Sequence, residues 1–117
     1  MTYTYTVPQL VTKAQSFVTT AQQQTTTAAK NSYLSMANAL ADCIIARSED
    51  ANVTGTLTWM GLDTTASERT SLLMSADAAL VNANNSTGQT QLDYLTEAQL
   101  WSKIAYALAV NTLVDRP

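Results

Sequence analysis

The stretch LWSKIAYALAVNTLV, Leu100–Val114, is apolar on nearly every side when it is drawn as a helix. At roughly 100° per residue its large apolar side chains fall on two faces. One face carries Leu100, Trp101, Ile104 and Leu108, and the other carries Tyr106, Val110 and Leu113. A helix that is apolar all round is normally buried all round, and a short chain supplies few elements to surround it. The second face therefore predicts a partner subunit, unless Ala105, Ala107 and Ala109 inflate the pattern and Tyr106 simply lies on the surface.

Length and composition describe one helical domain, residues 1–117, with little charge. The chain is 46% apolar but only 13% charged, about half the usual charged share, and its net charge is −3. The six lysines and arginines are scattered with no two adjacent, whereas phosphate neutralisation needs clustered cations. We therefore expect no nucleic-acid partner, and a surface that does little to resist protein association.

The residues needed for catalysis and metal binding are scarce. The chain has no histidine, which removes the commonest general base and the commonest metal ligand. Cys43 is the only cysteine and lies in the apolar run ADCIIA, where a buried structural thiol is expected. Glu49 and Asp50 are adjacent, and adjacent residues diverge on a helix. The sequence predicts no enzyme activity, no catalytic residue, no cofactor and no metal site.

The N-terminal segment 1–7 is predicted to be an extended arm. Thr and Tyr alternate there, so Tyr3, Tyr5 and Val7 share one face of an extended chain. The arm either reaches a neighbouring molecule or lies as a strap across its own bundle. The segment has no basic and apolar signal-peptide pattern, and no apolar run of the chain approaches the roughly 20 residues of a membrane span, so we expect no membrane association.

Four helices follow the arm. Thr6 with Gln9 predicts a capping box at the start of helix one, and the polar run 22–27 is either a loop or an exposed stretch of one long bent helix. Helix two is predicted over about 28–50, before a connection at 52–62 that could contain a minor β element around residues 56–59.

Two further capping boxes mark the second half of the chain. Thr65 with Glu68 predicts the start of helix three, and Thr96 with Gln99 is the second box. The start of helix four is placed between Thr90 and Thr96, with Pro117 as its stop. The pattern predicts an all-α, compact four-helix bundle.

The tripeptide Trp59-Met60-Gly61 stands near mid-chain between helical halves. With the length and acidity of the chain, this turn resembles the WXG100 family of small helical hairpins exported by type VII secretion systems. The family's C-terminal Tyr-x-x-x-Asp/Glu signal is absent, because Ala98 follows Tyr94 by four residues and Val110 follows Tyr106. The resemblance implies a secreted protein that dimerises as hairpins.

The function predicted from these features is that of a non-enzymatic structural subunit that packs against protein partners, as a homo-oligomer or within a larger assembly. Chains rich in Thr, Ala, Asn and Gln with little charge and no histidine are typical of small bacteriophage virion proteins, such as head–tail connector or neck adaptors and capsid accessory proteins. The expected location is the virion, with a secreted or cytoplasmic protein as the alternative. The expected interface residues are Tyr3, Tyr5, Trp59, Trp101, Tyr106, Val110 and Leu113.

Overall fold

Residues 3–115, the part of the chain that the computed structural model describes, form an all-α bundle of four helices packed against one another. The helices are α1 (Val7–Gln22), α2 (Thr27–Leu57), α3 (Ala66–Asn84) and α4 (Gly88–Val114), and a short 3₁₀ helix, Thr58–Met60, follows α2. The predicted fold class is confirmed. The first two residues of the predicted arm, and the predicted helix stop at Pro117, lie outside the described residues.

The start of α1 has the predicted capping box. The Thr6 hydroxyl accepts a hydrogen bond from the Gln9 backbone N–H at 3.3 Å, and the Gln9 side chain accepts one from the Thr6 backbone N–H at 2.8 Å. Pro8 lies in the first turn, where its missing N–H leaves no helical bond unmade. Residues 23–26 separate α1 from α2, so the polar run is a loop and the alternative of one long helix is wrong.

Helix α2 continues seven residues past its predicted end, and the expected β element around residues 56–59 is wrong, since no described residue is in a strand. Gly55 and its threonine neighbours are weak helix formers, which is why a connection was predicted there. Val53 and Leu57 lie one helical turn apart and are completely buried with Ala109 of α4. This tertiary burial stabilises the helix against its local propensity.

The other two predicted capping boxes do not form. Thr65 does precede α3, but its hydroxyl bonds to Thr112 at 2.6 Å instead of capping the helix. Helix α4 begins at Gly88, earlier than predicted, and Gln99 uses its side chain to donate to Asp42 of α2 at 2.6 Å. Thr65 thus bonds to another helix instead of capping its own, and Thr96 lies inside α4, where its hydroxyl donates to the Leu92 carbonyl oxygen at 2.9 Å.

Helices α2 and α4 run parallel to each other at close range. Asp42 of α2 contacts Gln99 of α4, and further along both helices Leu57 meets Ala109. Of the nineteen buried apolar residues in the described part of the chain, ten are alanines, and small side chains let helix backbones approach closely. Alanine thus fills much of the space that leucine or phenylalanine would fill in an ordinary core.

Helix α1 is only half as long as α2 and covers one end of it. Phe17 and Tyr33 stack there with ring centroids 6.3 Å apart. The arm continues from α1 over the middle of the bundle, where Tyr3 packs against Ala46 and Leu73. The molecule is elongated, 53 × 22 × 20 Å, and its end farthest from α1 is formed by the end of α2, the start of α3 and the end of α4.

Candidate assembly surface

Large apolar side chains lie on the outside of this bundle while alanines fill much of its inside. The exposed ones among the described residues are Val18, Leu34, Ile45, Trp59, Met60, Leu100, Ile104, Tyr106 and Val114. None of them lies on α3, whose outer face instead presents Ser67, Ser71 and Ser75. The surface of the bundle is therefore asymmetric, with a polar face on α3 and exposed apolar side chains on α2 and α4.

The structure shows which side of α4 faces the core. The stripe that packs into the bundle begins with Leu95 and then consists of small residues, namely Ala98, Ser102, Ala105, Ala109 and Thr112. Leu100 and Ile104 point away from it and remain 58% and 53% exposed. The expectation that these two belong to the inward face is wrong, because the small stripe allows α4 to sit close to both α2 and α3.

The four predicted interface residues of α4 occupy its flanks. Trp101 is half-buried and packs against the main core cluster, while Val110 is also half-buried. Leu113 packs against the cluster at the far end of the bundle. Tyr106 is more open and lines a groove with Ile45 of α2. Tyr106 is thus the predicted α4 residue that is accessible to a partner.

Trp59 is the most exposed large apolar residue within 3–115, at 79%, and it stands at the far end of the molecule. It lies in the 3₁₀ helix that caps α2, and Gly61 follows in the left-handed conformation at φ 69°. Val114, at the same end of the parallel helix α4, is 73% exposed. An exposed tryptophan beside other apolar side chains is the usual composition of an interface anchor.

The arm is a strap on its own bundle, so the alternative of an arm reaching a neighbour is not what the described residues show. The Arg47 guanidinium stacks over the Tyr3 ring at 3.7 Å and donates a hydrogen bond to the Tyr5 carbonyl oxygen. Burial raises the pKa of Tyr3 and lowers that of Arg47, in each case by disfavouring the charged form. Tyr5 packs against the core, and its ring lies 5.1 Å from the Lys13 ammonium.

Asp77 of α3 holds the arm on the bundle, and replacing Asp77 tests this contact. The buried carboxylate accepts hydrogen bonds from the backbone N–H groups of Thr4 and Tyr5 at 3.0 and 3.5 Å. Asp77→Ala should lower the free energy of unfolding by about 1–3 kcal/mol, because two backbone donors lose a charged acceptor. Hydrogen exchange at residues 3–5 should speed up in the variant, while Asp93→Ala, at an exposed carboxylate, should leave both measurements unchanged.

The most tightly bonded polar cluster was not predicted from the sequence. Arg69, fully buried at the start of α3, donates to Asp50 of α2 at 2.7 Å and to both oxygens of Asp63 at 2.6 and 2.8 Å. The Thr65 hydroxyl accepts another of its hydrogen bonds. The hydrogen bonds from Arg69 lower the pKa of Asp63 and favour its ionised form against the guanidinium. The cluster ties the α2–α3 connection to the bundle.

The remaining polar groups are dispersed. Cys43 is buried as predicted, and burial raises the pKa of its thiol. Lys103 lies 3.8 Å from Asp42 across the α2–α4 groove. Within residues 3–115, no group of three or more metal-ligating side chains comes together. None of the helices described is both long and apolar enough to cross a bilayer.

Comparison of the chain with family models, with curated proteins and with solved structures gives no match.

Proposed function

We propose that this chain is a non-enzymatic structural subunit that works by packing against protein neighbours. The observation that carries the proposal is the distribution of small and large apolar side chains. Alanines fill much of the core, and Trp59, Leu100, Ile104 and Val114 are more than half exposed. Soluble monomers rarely expose such residues in contiguous patches, because apolar surface left in water costs free energy that association recovers. Low surface charge removes the repulsion that would oppose such contacts.

We further propose that the assembly is a bacteriophage virion, in which the chain acts as a head–tail connector, neck adaptor or capsid accessory protein. The support is compositional: abundant Thr, Ala, Asn and Gln, little charge and no histidine on a short helical bundle. A subunit in a large particle has neighbours on several sides. Exposed apolar side chains on α2, on α4 and at the Trp59 tip fit that requirement.

The second candidate is an exported protein similar to the WXG100 family. It is favoured by the position of Trp59-Met60-Gly61, which forms a 3₁₀ turn between two helical halves with Gly61 in the left-handed conformation. Against it, each half consists of two helices, because residues 23–26 and 85–87 interrupt them. Such a protein would be secreted by intact cells.

Location in the source culture separates these proposals. Antibodies raised against the purified chain should detect it in density-banded phage particles, at a constant ratio to the major particle proteins. Detection in the medium of intact cells, without particles, would instead favour the exported protein. A chain that stays in the cytoplasm and enters no particle would contradict both.

Trp59 is the residue whose loss should be felt most in the particle. Trp59→Ser should reduce the amount of chain incorporated by about tenfold or more, because exposed tryptophans are frequent hot spots of binding. Thr56→Ser, at an exposed position one turn away, is the matched control and should be incorporated normally. Equal incorporation of the two variants would show that Trp59 does not contact a neighbouring protein in the particle.

A further inference from the structure

An open groove of about 690 Å³, named here the α1–α2 groove, lies between the first two helices. Val18 of α1 and Leu34 of α2 are its large apolar side chains, and they are 39% and 46% exposed. Its lining also includes small alanine side chains and the exposed amides of Gln15, Gln22 and Asn38. The volume lies within the roughly 300–1,000 Å³ of pockets that enclose a large group, so the groove can take in a large side chain.

The Trp59 tip, defined as Thr58–Met60, has the polarity that this groove accepts. Trp59 and Met60 are exposed, and the indole ring combines a large apolar surface with one N–H donor. The groove combines an apolar lining with amide oxygens that accept such a hydrogen bond. Neither the tip nor the lining of the groove has a charged side chain, so their contact desolvates no charge.

One molecule cannot bring its own tip into its own groove. Leu34 lies near the start of α2, whereas Trp59 follows the end of that helix at Leu57. The helix between Leu34 and Leu57 is roughly 35 Å long at 1.5 Å per residue, and it is continuous. A second copy of the chain, however, presents the same tip on a free end.

The division of charge along the chain favours contact between unlike parts of two copies. Residues 1–41, which include α1 and the groove side of α2, have two lysines and no carboxylate. Residues 42–117 have nine carboxylates and four cations, a net charge of −5. Exposed Lys30 lies one turn before Leu34, while Glu68 lies in the first turn of α3, at the same end of the molecule as Trp59. Groove against groove would bring like charges together, and tip against groove brings opposite ones together.

We propose that the α1–α2 groove receives the Trp59 tip of a second copy of this chain. This inference rests on the proposed function, since it names a partner for the Trp59 contact. The contact joins two different surfaces, so every pair of copies still has one free tip and one free groove. Repetition closes into a ring or continues as a filament, according to the rotation between copies. One turn of chain buries less than the roughly 800 Å² per partner of a standard interface, so the purified chain should associate weakly.

Sedimentation equilibrium from micromolar to near-millimolar concentration measures this association. The wild type should form oligomers larger than dimers as its concentration rises. Trp59→Ser removes the inserted side chain and Leu34→Glu places a carboxylate beneath it, so each should weaken association by about tenfold or more. Ser71→Glu, on the polar face of α3, should associate like the wild type. Circular dichroism should show that all four chains remain helical.

Mixing the two defective variants tests the tip-to-groove geometry. Trp59→Ser retains an intact groove, and Leu34→Glu retains an intact tip. An equimolar mixture should therefore form a one-to-one dimer that cannot grow further, although each variant alone stays monomeric. A contact between two like surfaces would not be restored by mixing.

Fluorescence tests whether the indole of Trp59 is the group that becomes buried. The chain has two tryptophans, and Trp101→Phe makes Trp59 the single emitter while keeping an aromatic ring against the core. The emission of this variant should move to shorter wavelength as its concentration rises, because the indole leaves water. Adding Leu34→Glu should abolish the shift.

The outcomes separate this inference from the proposed function. A wild type that stays monomeric at near-millimolar concentration, oligomers insensitive to Leu34→Glu, or a mixture that forms no dimer would overturn the tip-to-groove contact. A monomeric wild type together with poor entry of Trp59→Ser into particles would overturn this inference and leave the proposed function standing, with a different protein against Trp59. Conversely, oligomers that depend on both residues but occur in no particle would support the contact and contradict the virion assignment.

Discussion

Arg69→Met is expected to lower the free energy of unfolding by about 3–5 kcal/mol, the largest effect of any single substitution considered for this protein. Arg69 is fully buried and holds Asp50 and Asp63 through three hydrogen bonds of 2.6–2.8 Å. Methionine has a similar volume, so packing is largely kept while the positive charge is removed. The Asp63 side chain, only 4% exposed, is then left buried without its cation. Chemical denaturation at neutral pH measures the loss.

The other ion pair of the described residues supplies the control. Lys103 lies 3.8 Å from Asp42 and is 60% exposed, so Lys103→Met should change the free energy of unfolding by no more than about 0.5 kcal/mol. Adding Asp63→Asn to Arg69→Met should recover part of the loss, because it removes the stranded charge. No recovery in that double variant would show that the loss comes from packing and not from charge.

The same cluster fixes the sign of a pH dependence. In the wild type, hydrogen bonds from Arg69 lower the pKa of Asp63 below that of the unfolded chain, near 4. The stability that this shift contributes is complete above pH 4 and is lost as the pH falls through the lower folded pKa. Without Arg69, burial should raise the pKa of Asp63 instead, so the variant should gain stability as the pH falls from 7 toward 4. A deficit that stays constant over that range would contradict this assignment.

The structural features that the sequence predicted well are those set by neighbouring residues. The capping box of Thr6 and Gln9 was correct because both partners lie within one helical turn. The α2 extension was missed because Gly55 argues locally for a break, while the burial of Val53 and Leu57 depends on α4, some fifty residues away. Local propensity contains no information about that contact.

The Arg69 cluster could not be predicted from neighbouring residues either, although the sequence contains one signal that Arg69 is buried. Four residues of α3 follow one another at spacings of four, three and four, which places them in one line along the helix. They are Arg69, Leu73, Ala76 and Leu80. All these positions are buried, so the arginine occupies the inward line of α3. A cation in an apolar stripe requires a buried anion. Its two partners, however, come from α2 and from the connection, and the sequence alone does not bring them together.

The direction in which α4 faces the core was predicted wrongly. Helical periodicity gives the angle between residues of α4 but not the direction of the core, so Leu100 and Ile104 were assigned to the inward face. The chain instead buries the alanine line through Ala105 and Ala109. The interface role of Tyr106 and Trp59 stays a prediction, and their exposure is the part of it that the structure supports.

The alanine line of α4 leads to the second large expected effect. Ala109→Leu should lower the free energy of unfolding by about 3 kcal/mol, because Ala109 is completely buried against Val53 and Leu57 of α2 and three more carbon atoms would have to displace these neighbours. Leucine is nearly as good a helix former as alanine, so the loss reports packing and not helix propensity. Thermal and urea unfolding monitored by circular dichroism measure it.

Ala78→Leu makes the same chemical change at an exposed position of α3 and should alter stability by less than about 0.5 kcal/mol. If Ala109→Leu were equally harmless, α4 would have room to move outward and the close approach of α2 and α4 would not be needed. A large loss at residue 109 alone would mean that alanine is required there for its small size. The displacement of Leu100 and Ile104 to the outside then follows, since a helix seated on its small residues must carry its large ones on the opposite face.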